Sequence, residues 1–286
     1  MDYLFVESVD EALKAAQSPG VAFLAGGTNL VPDVLFGRKK PDLAVDISRL
    51  KELRFIEEHD GRIRIGSLAT LTDLLESDVV RTHALPLHEC AAEFAGPLVR
   101  NRATVGGNLL DASPAADLAP PLLALDGRAE LVSLEGKRSL SLDEFFLDYR
   151  KTAIRTGELL TAVSVRSLEK EDCSGYCKLQ LRRAMAISIV SVALFLRIRG
   201  GRCTDVGIGM GAAAPVPYRS VGAENCLRGE IIGKEEILNS ANAAREDAKP
   251  IDDVRASGAY RRRMCGVLLR RLLQNALNTS TGNLSA

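Results

Sequence analysis

Apolar residues recur along this chain in two rhythms, and the first fifty positions already show both. Ser8 followed three residues later by Glu11 has the form of a helix capping box, and Ala12, Leu13, Ala15 and Ala16 behind it supply helical spacing. VAFLA (21–25) has the pattern of a short buried strand and ends at Gly26-Gly27. NLVPDVLFGR predicts a short helix, with Pro32 tolerated in its first turn and Gly37 near its end, and LAVDIS (43–48) predicts the next strand. Strand, helix and strand in close succession make a βαβ-like unit.

From residue 51 the texture changes. RIRIGSL (62–68) alternates charged and apolar residues as a half-exposed strand does. Thr70 with Asp73 opens a helix, and LHECAAEF (87–94) forms another that ends at Gly96-Pro97. VRNRATVGGNLLDASPAADLAPPLLAL (99–125) predicts a glycine- and Asn/Asp-rich connection that leads into a helix. RAELVSL and KRSLSL flank Glu135-Gly136 as a hairpin, and Ser141 with Glu144 caps a further short helix. Beyond ELLTAVSV (158–165), the stretch SLEKEDCSG (167–175) breaks all periodicity and marks a domain boundary. The strands YCKLQL, ISIVSVALFLRI and CTDVGIGMG follow, with a turn at Gly200-Gly201, and then two helices over 235–248 and 258–277. The second helix places Met264, Val267, Leu268 and Leu272 on one face and arginines on the other. No fixed-period repeat occurs. The pattern predicts an α+β protein with lobes at 1–55 and 56–168 and a sheet-plus-helices domain at 173–286.

Composition narrows the function classes. Lys+Arg and Asp+Glu both number 37, so no global field favours nucleic acid or an anionic membrane. The apolar run AISIVSVALFL (186–196) is too short to span a bilayer. An N-terminus with early acids has no signal-peptide form, so a cytoplasmic protein is expected. Of six cysteines only Cys173 and Cys177 are close, without a second pair, which predicts reduced thiols and no metal or iron–sulfur site in this chain.

Several stretches offer chemistry. Gly26-Gly27-Thr28 at a strand end could present consecutive N–H groups to an anion, with Thr28 adding a hydroxyl; an ordinary tight turn accounts for it equally. ATVGGN (103–108) repeats the arrangement with Thr104, Gly106, Gly107 and Asn108 on a loop. Two such loops, one in each lobe, fit a ligand with two phosphates held in a cleft. Asp117 could accept hydrogen bonds from a ligand or cap a helix. Lys178 lies over a cofactor or reaches solvent at a sheet edge. GIGMGA (207–212) matches a dinucleotide fingerprint only formally, since Pro215 and Pro217 prevent the required helix, and close backbone packing explains it better. Arg182-Arg183 and Arg261–Arg263 suit solvated faces, ion pairs or a protein partner. His59, His83 and His88 have neither metal-ligand nor triad spacing, and no nucleophile motif appears, so the chemistry requires a cofactor.

LAGGTNLVPDV, AGPLVRNRATVGGNLLDASPAADLAPPLLAL, KLQLRRAMAISIVSVA and YRRRMCGVLLRRLL together resemble the FAD-binding, medium subunit of molybdenum hydroxylases, the family of xanthine and carbon monoxide dehydrogenase flavoproteins. The resemblance spans essentially the whole chain. It implies two α+β lobes of the vanillyl-alcohol-oxidase type gripping FAD, followed by a third domain. It assigns the pyrophosphate to Ala25, Gly26, Gly27, Thr28 and Asn29, with Thr104, Gly106, Gly107 and Asn108 as the second loop. Leu110 and Asp117 fall nearer the ribityl and ring, Phe94 in front of the isoalloxazine, and Leu160 and Lys178 along the flavin from the third-domain side. Thr28 stands where some members have histidine, which implies non-covalent FAD, and the cysteine spacing leaves no place for the iron–sulfur insertion of other members.

The implied function is electron transfer. A large molybdenum-cofactor subunit hydroxylates, a small 2Fe–2S subunit relays electrons, and FAD in this chain passes them to NAD or another acceptor. The rivals are a self-contained FAD oxidoreductase and a flavin-free structural subunit.

Overall fold

The computed structural model describes residues 2–182 and 184–282, with side chains through residue 278; Arg183 of the Arg182-Arg183 pair and residues 283–286 of the third segment lie outside the described residues. The first lobe contains β1 (Asp2–Phe5), α1 (Val9–Ala15), β2 (Val21–Leu24), α2 (Leu30–Leu35) and β3 (Leu43–Asp46). Its sheet is parallel, in the order β1-β3-β2, with Val21 opposite Leu43 and Leu24 opposite Asp46. The buried-strand pattern of VAFLA proves half-buried throughout, because β2 is an edge strand. β1 carries no local signal, being exposed along its length; its pairing to β3 defines it. At α1, Ser8 accepts from the Glu11 N–H at 3.2 Å, but the Glu11 carboxylate takes the Glu7 N–H at 2.8 Å instead of closing the box.

The second lobe begins with the hairpin β4 (Ile56–His59) and β5 (Arg62–Gly66), where Ile63 and Ile65 are fully buried, as the alternation predicts. Six helices follow: α3 (Leu71–Glu76), α4 (Asp78–His83), α5 (Leu85–Glu93), α6 (Pro97–Arg100), α7 (Val105–Asp111) and α8 (Ala119–Ala124). Thr70 and Asp73 form the full reciprocal capping box of α3. The hairpin β6 (Arg128–Ser133) and β7 (Gly136–Ser141) leads through α9 (Leu142–Phe145) and the short ribbon β8 (Phe146–Asp148) and β9 (Lys151–Thr152) to β10 (Leu159–Arg166). β10 runs up the middle of a five-stranded sheet in the order β4-β5-β10-β6-β7.

The third unit is the antiparallel sheet β11 (Cys173–Leu179), β12 (Val190–Arg199), β13 (Arg202–Gly211) and β14 (Tyr218–Arg219), with α10 (Val221–Asn225), α11 (Lys234–Asp247) and α12 (Gly258–Gly282). β11 starts inside the polar stretch read as a boundary: its Asp172 edge is held by Arg197 of β12 at 2.7 Å, so charge there belongs to a sheet end. Cys265, Leu269 and Leu273 of α12 are fully buried beneath this sheet. Among the α12 arginines Arg261 takes the ion-pair alternative and not the solvated face. It is 2% exposed, donates to Ile189 O at 2.8 Å and Ala212 O at 3.2 Å, and pairs with Asp253 at 2.6 Å, clamping α12 to the sheet ends.

The other sheet face meets the second lobe. Tyr176, Ala193 and Phe195 join the second lobe's core. The three glycines of GIGMGA alternate along β13 and face α8 together. A Cβ at Gly207 would lie 2.1 Å from Ala124 O, at Gly209 2.0 Å from Pro120 O, and at Gly211 2.7 Å from Pro120 Cγ. The motif is a seam that admits helix backbone against strand, as close packing required. No helix among the described residues is long and apolar enough to cross a membrane.

Candidate functional site

Where the lobes and the third unit meet, they enclose a cavity of about 760 Å³, within the range of about 300–1,000 Å³ usual for small-molecule sites. β2 supplies one wall through Val21, Ala22 and Phe23, and Val21 and Phe23 also pack against the first lobe's core, so this edge strand lies between core and cavity. The second lobe supplies Phe94, Leu110, Leu159 and Leu160, and the loop between β11 and β12 adds Met185, Ala186 and Ile187.

Ala25 to Asn29 turn the chain from β2 into α2. Gly27 has φ +73°, a left-handed conformation that favours glycine, and a Cβ on Gly26 would lie 1.7 Å from Arg102 O, so the second lobe's backbone abuts this turn. The N–H groups of Gly26, Gly27, Thr28, Asn29 and Leu30 find no acceptor among the described residues. Five adjacent unpaired donors beside a cavity are a site for an anion. Arg38, Lys39 and Arg150 line the same cavity and surround Asp33 at 2.7, 4.0 and 3.4 Å. The Arg38 hydrogen bond, followed in effect by the charges of Arg38, Arg150 and Lys39, overcomes burial and holds the Asp33 carboxyl below its usual range. Arg150 also approaches Asp111 of α7 at 3.8 Å, so one guanidinium from the β8–β9 turn spans both lobes.

The second glycine pair is not a loop. Thr104 caps α7, and Gly106 and Gly107 form its first turn. The N–H groups are all engaged: Val105 on Ala69 O (2.9 Å), Gly106 on Ser67 O (2.8 Å), Gly107 on Thr104 Oγ1 (3.1 Å) and Asn108 on Thr104 O (3.0 Å). This corrects the expectation of two equivalent anion loops: the threonine hydroxyl and neighbouring carbonyls outcompete a ligand for the second set. Gly106 exists for close packing, since a Cβ there would lie 2.8 Å from Ser67 Cβ. Gly107 faces outward, its added Cβ meeting only Thr104 Oγ1 at 2.9 Å.

Asp117 is neither a cap nor a free acceptor. The residue capping α8 is Leu118, without a side-chain bond, while the Asp117 carboxylate receives Lys178 Nζ at 2.8 Å on one oxygen and the Ser188 hydroxyl on the other. The Lys178 side chain is 1% exposed and reaches neither solvent nor the cavity wall; it stands behind Asp117 and also contacts Glu93 O at 3.5 Å. Burial raises the carboxyl pKa of neighbouring Glu89 and Glu93 above the ordinary range. Ala25, Gly26, Gly27, Thr28, Asn29, Phe94, Thr104, Gly106, Gly107, Asn108, Leu110, Asp117 and Leu160 therefore line one cavity, and Lys178 alone of the expected residues does not.

The sequence reading missed Ser67, Arg38, Lys39 and Arg150. Ser67 had a readable signal: it continues the buried face Ile63, Ile65, Ser67 by two-residue steps, placing a hydroxyl where a core residue is due. Arg150 had none, because its reach to Asp33 spans 117 residues.

Residues 1–166 match the family model of the FAD binding domain in molybdopterin dehydrogenase, and residues 175–276 match that of the CO dehydrogenase flavoprotein C-terminal domain. The chain is 31% identical to the glyceraldehyde dehydrogenase medium chain of Sulfolobus acidocaldarius, over 93% of this chain and 94% of that one. It is 30% identical to the xanthine dehydrogenase FAD-binding subunit of Escherichia coli O157:H7, over 94% and 93%. Among solved structures, carbon monoxide dehydrogenase from Hydrogenophaga pseudoflava superposes with a TM-score of 0.94 at 28% identity, covering 97% of both chains. The fold is thus the two-lobed FAD-binding type with a C-terminal flavoprotein domain, and the chain belongs to the FAD-binding subunits of the molybdenum hydroxylases, an oxidoreductase family.

Proposed function

We propose that this chain binds FAD non-covalently in the cavity and serves as the electron-transfer subunit between a small 2Fe–2S subunit and NAD or another acceptor, with hydroxylation in a large molybdenum-cofactor subunit. The observation that carries the reading is the run of unpaired N–H groups from Gly26 to Leu30, beside a cavity shared by both lobes and the third unit. Bound FAD would supply one- and two-electron chemistry that no side chain here provides.

The residues fit that group. The amides of Gly26, Gly27, Thr28 and Asn29 hold the pyrophosphate, with Ala25 packed at the strand end and Arg38, Lys39 and Arg150 balancing its charge. Thr104, Gly106 and Gly107 provide shape rather than amides, the Thr104 hydroxyl being taken by the Gly107 N–H, and Asn108 adds its side chain. Leu110, Leu160 and Phe94 supply apolar walls, and Met185 and Ile187 close the third-unit side. Asp117 is fixed from behind by Lys178, which orients the wall without touching the ligand. The domains of this reading are lobes at 1–55 and 56–168 and a C-terminal domain at 173–286.

The test is purification of the chain with and without partner subunits. The reading expects one FAD released per chain on denaturation, and flavin bleaching by the hydroxylated substrate only when both partners are present. Bleaching by an organic substrate with this chain alone would establish a self-contained oxidoreductase. Colourless protein that takes up no added FAD would establish a structural subunit.

A further inference from the structure

The first lobe's sheet ends on β1, and that edge is bare. In the parallel pairing with β3, Asp2 N–H donates to Asp42 O at 2.8 Å and Val6 N–H to Asp46 O at 3.5 Å. Alternate residues of a strand turn their backbone groups to the same side, so Leu4 also faces β3, while the N–H and C=O groups of Tyr3 and Phe5 point away from the sheet. Tyr3, Leu4 and Phe5 are 48, 40 and 51% exposed, and β1 carries no lysine, proline or bulge of the kind that blunts an edge. Apolar side chains occupy both faces of the strand. Leu4 shares a face with Val6 and lies beside Val45, both in the first lobe's core. On the other face Tyr3 and Phe5 meet edge to face with ring centroids 4.8 Å apart, and the Tyr3 hydroxyl donates to Asp46. The Arg49 guanidinium stands 4.8 Å over the Phe5 ring and has no salt-bridge partner among the described residues.

A second copy of this chain fits that edge. Antiparallel strands alternate hydrogen-bonded and non-hydrogen-bonded pairs. With a two-fold axis at Leu4, Tyr3 of one copy and Phe5 of the other exchange both of their hydrogen bonds, and the same pair recurs beyond the axis. Leu4 meets Leu4 between them. Every outward N–H of Tyr3 and Phe5 then finds a carbonyl, and each aromatic ring lies opposite another, a favourable cross-strand pair. The register also carries Arg49, poised over Phe5, toward the Tyr3–Asp46 pair of the other copy, which offers the acid this guanidinium lacks. We propose that the chain self-associates through β1 into a two-fold dimer in which the two three-stranded sheets continue as one. Two short strands bury less than the about 1,200 Å² of a standard interface, so the dimer is weak and grows in with concentration. β1 and β2 are opposite edges of the sheet and the cavity lies on the β2 side, so this pairing leaves the cavity open.

Sedimentation velocity of the full chain over a wide range of concentration tests this, with backbone hydrogen exchange read at Tyr3 and Phe5. The mean mass should climb from one chain toward two, and exchange at those two amides should slow in step with it. Phe5→Lys sets a lysine on the edge and removes the aromatic pair on both sides of the axis, so dimerisation should weaken about 5- to 30-fold. Arg49→Glu, exposed and outside the strand, should weaken it about 2- to 10-fold, and decides the matter if Phe5→Lys does not fold. A single-chain mass at every concentration overturns the proposal. So does a dimer that forms equally well in Arg49→Glu and Phe5→Lys, or one that leaves the Tyr3 and Phe5 amides exchanging freely. Protection of these amides only when partner subunits are added, without a dimer, overturns it as well and assigns the edge to a strand of a partner.

Discussion

AGGTN and TVGGN look like copies of one device, and they fold into opposite things. In the first, the glycine amides point at no protein acceptor; in the second, the same kind of amides are consumed by Thr104, Ala69 and Ser67. Glycine serves different ends as well. Gly26 and Gly106 make room for backbone or a neighbouring Cβ, Gly27 supplies a left-handed turn, and Gly107 turns to the cavity, where an added Cβ would meet only the Thr104 hydroxyl. A glycine pair thus states only that a Cβ is unwelcome. The hydrogen-bond inventory around it decides whether it holds an anion or starts a helix.

Substitutions can break this contrast, beginning with the severest. Gly26→Ala forces a Cβ into Arg102 O and should cost about 3 kcal/mol, lowering the melting temperature by about 6–12 °C and emptying the flavin site. Gly107→Val leaves the lobe packing and the third unit folded but fills the cavity side, so FAD binding should weaken about 10- to 100-fold. Normal flavin content in that variant would contradict the site. Threonine changes separate the two motifs most cleanly. Thr28→Ala should weaken FAD about tenfold without changing the melting temperature of flavin-free protein. Thr104→Ala should do the reverse, removing a helix cap at about 1 kcal/mol, or 2–4 °C, with FAD affinity nearly unchanged. Identical profiles for the two would erase the distinction.

The smallest effect is in pH. Asp33, in α2 just after the first motif, has its pKa lowered, chiefly by the Arg38 hydrogen bond. Its stabilising contribution is therefore complete above the ordinary carboxylate range and is lost as pH falls through that range to the lower folded value. The melting-temperature difference between wild type and Asp33→Asn should be positive at pH 7 and shrink toward pH 3. A difference independent of pH would remove Asp33 from the charge cluster.

Local signals made much of the fold legible. The Thr70–Asp73 and Ser141–Glu144 boxes, the β6–β7 hairpin, the alternation of β5 and the continuous apolar run of β12 each encode their element in a few neighbouring residues. What stayed hidden is non-local. β1 exists through pairing with β3, and Arg150 matters only once the β8–β9 ribbon has carried it between Asp33 and Asp111. TVGGNLLD was misread because two glycines disfavour a helix, although Thr104 three residues ahead of Gly107 was a cap in plain view. Lys178 shows the same limit: its ion pair with Asp117, 61 residues away, sets it behind the cavity wall, and no local pattern carries that pairing.

The glycine seam between β13 and α8 has a consequence for how the molecule comes apart. Backbone packed on backbone leaves no side chain to refill the gap, and the Lys178–Asp117 pair would be left as two bare charges if the seam opened. Shedding the third unit would strand an unmatched ion in the wall of the cavity and uncover α8 beside it. The flavin lobes and the C-terminal unit are therefore coupled in unfolding, and flavin release and loss of the third sheet should appear as one thermal transition rather than two.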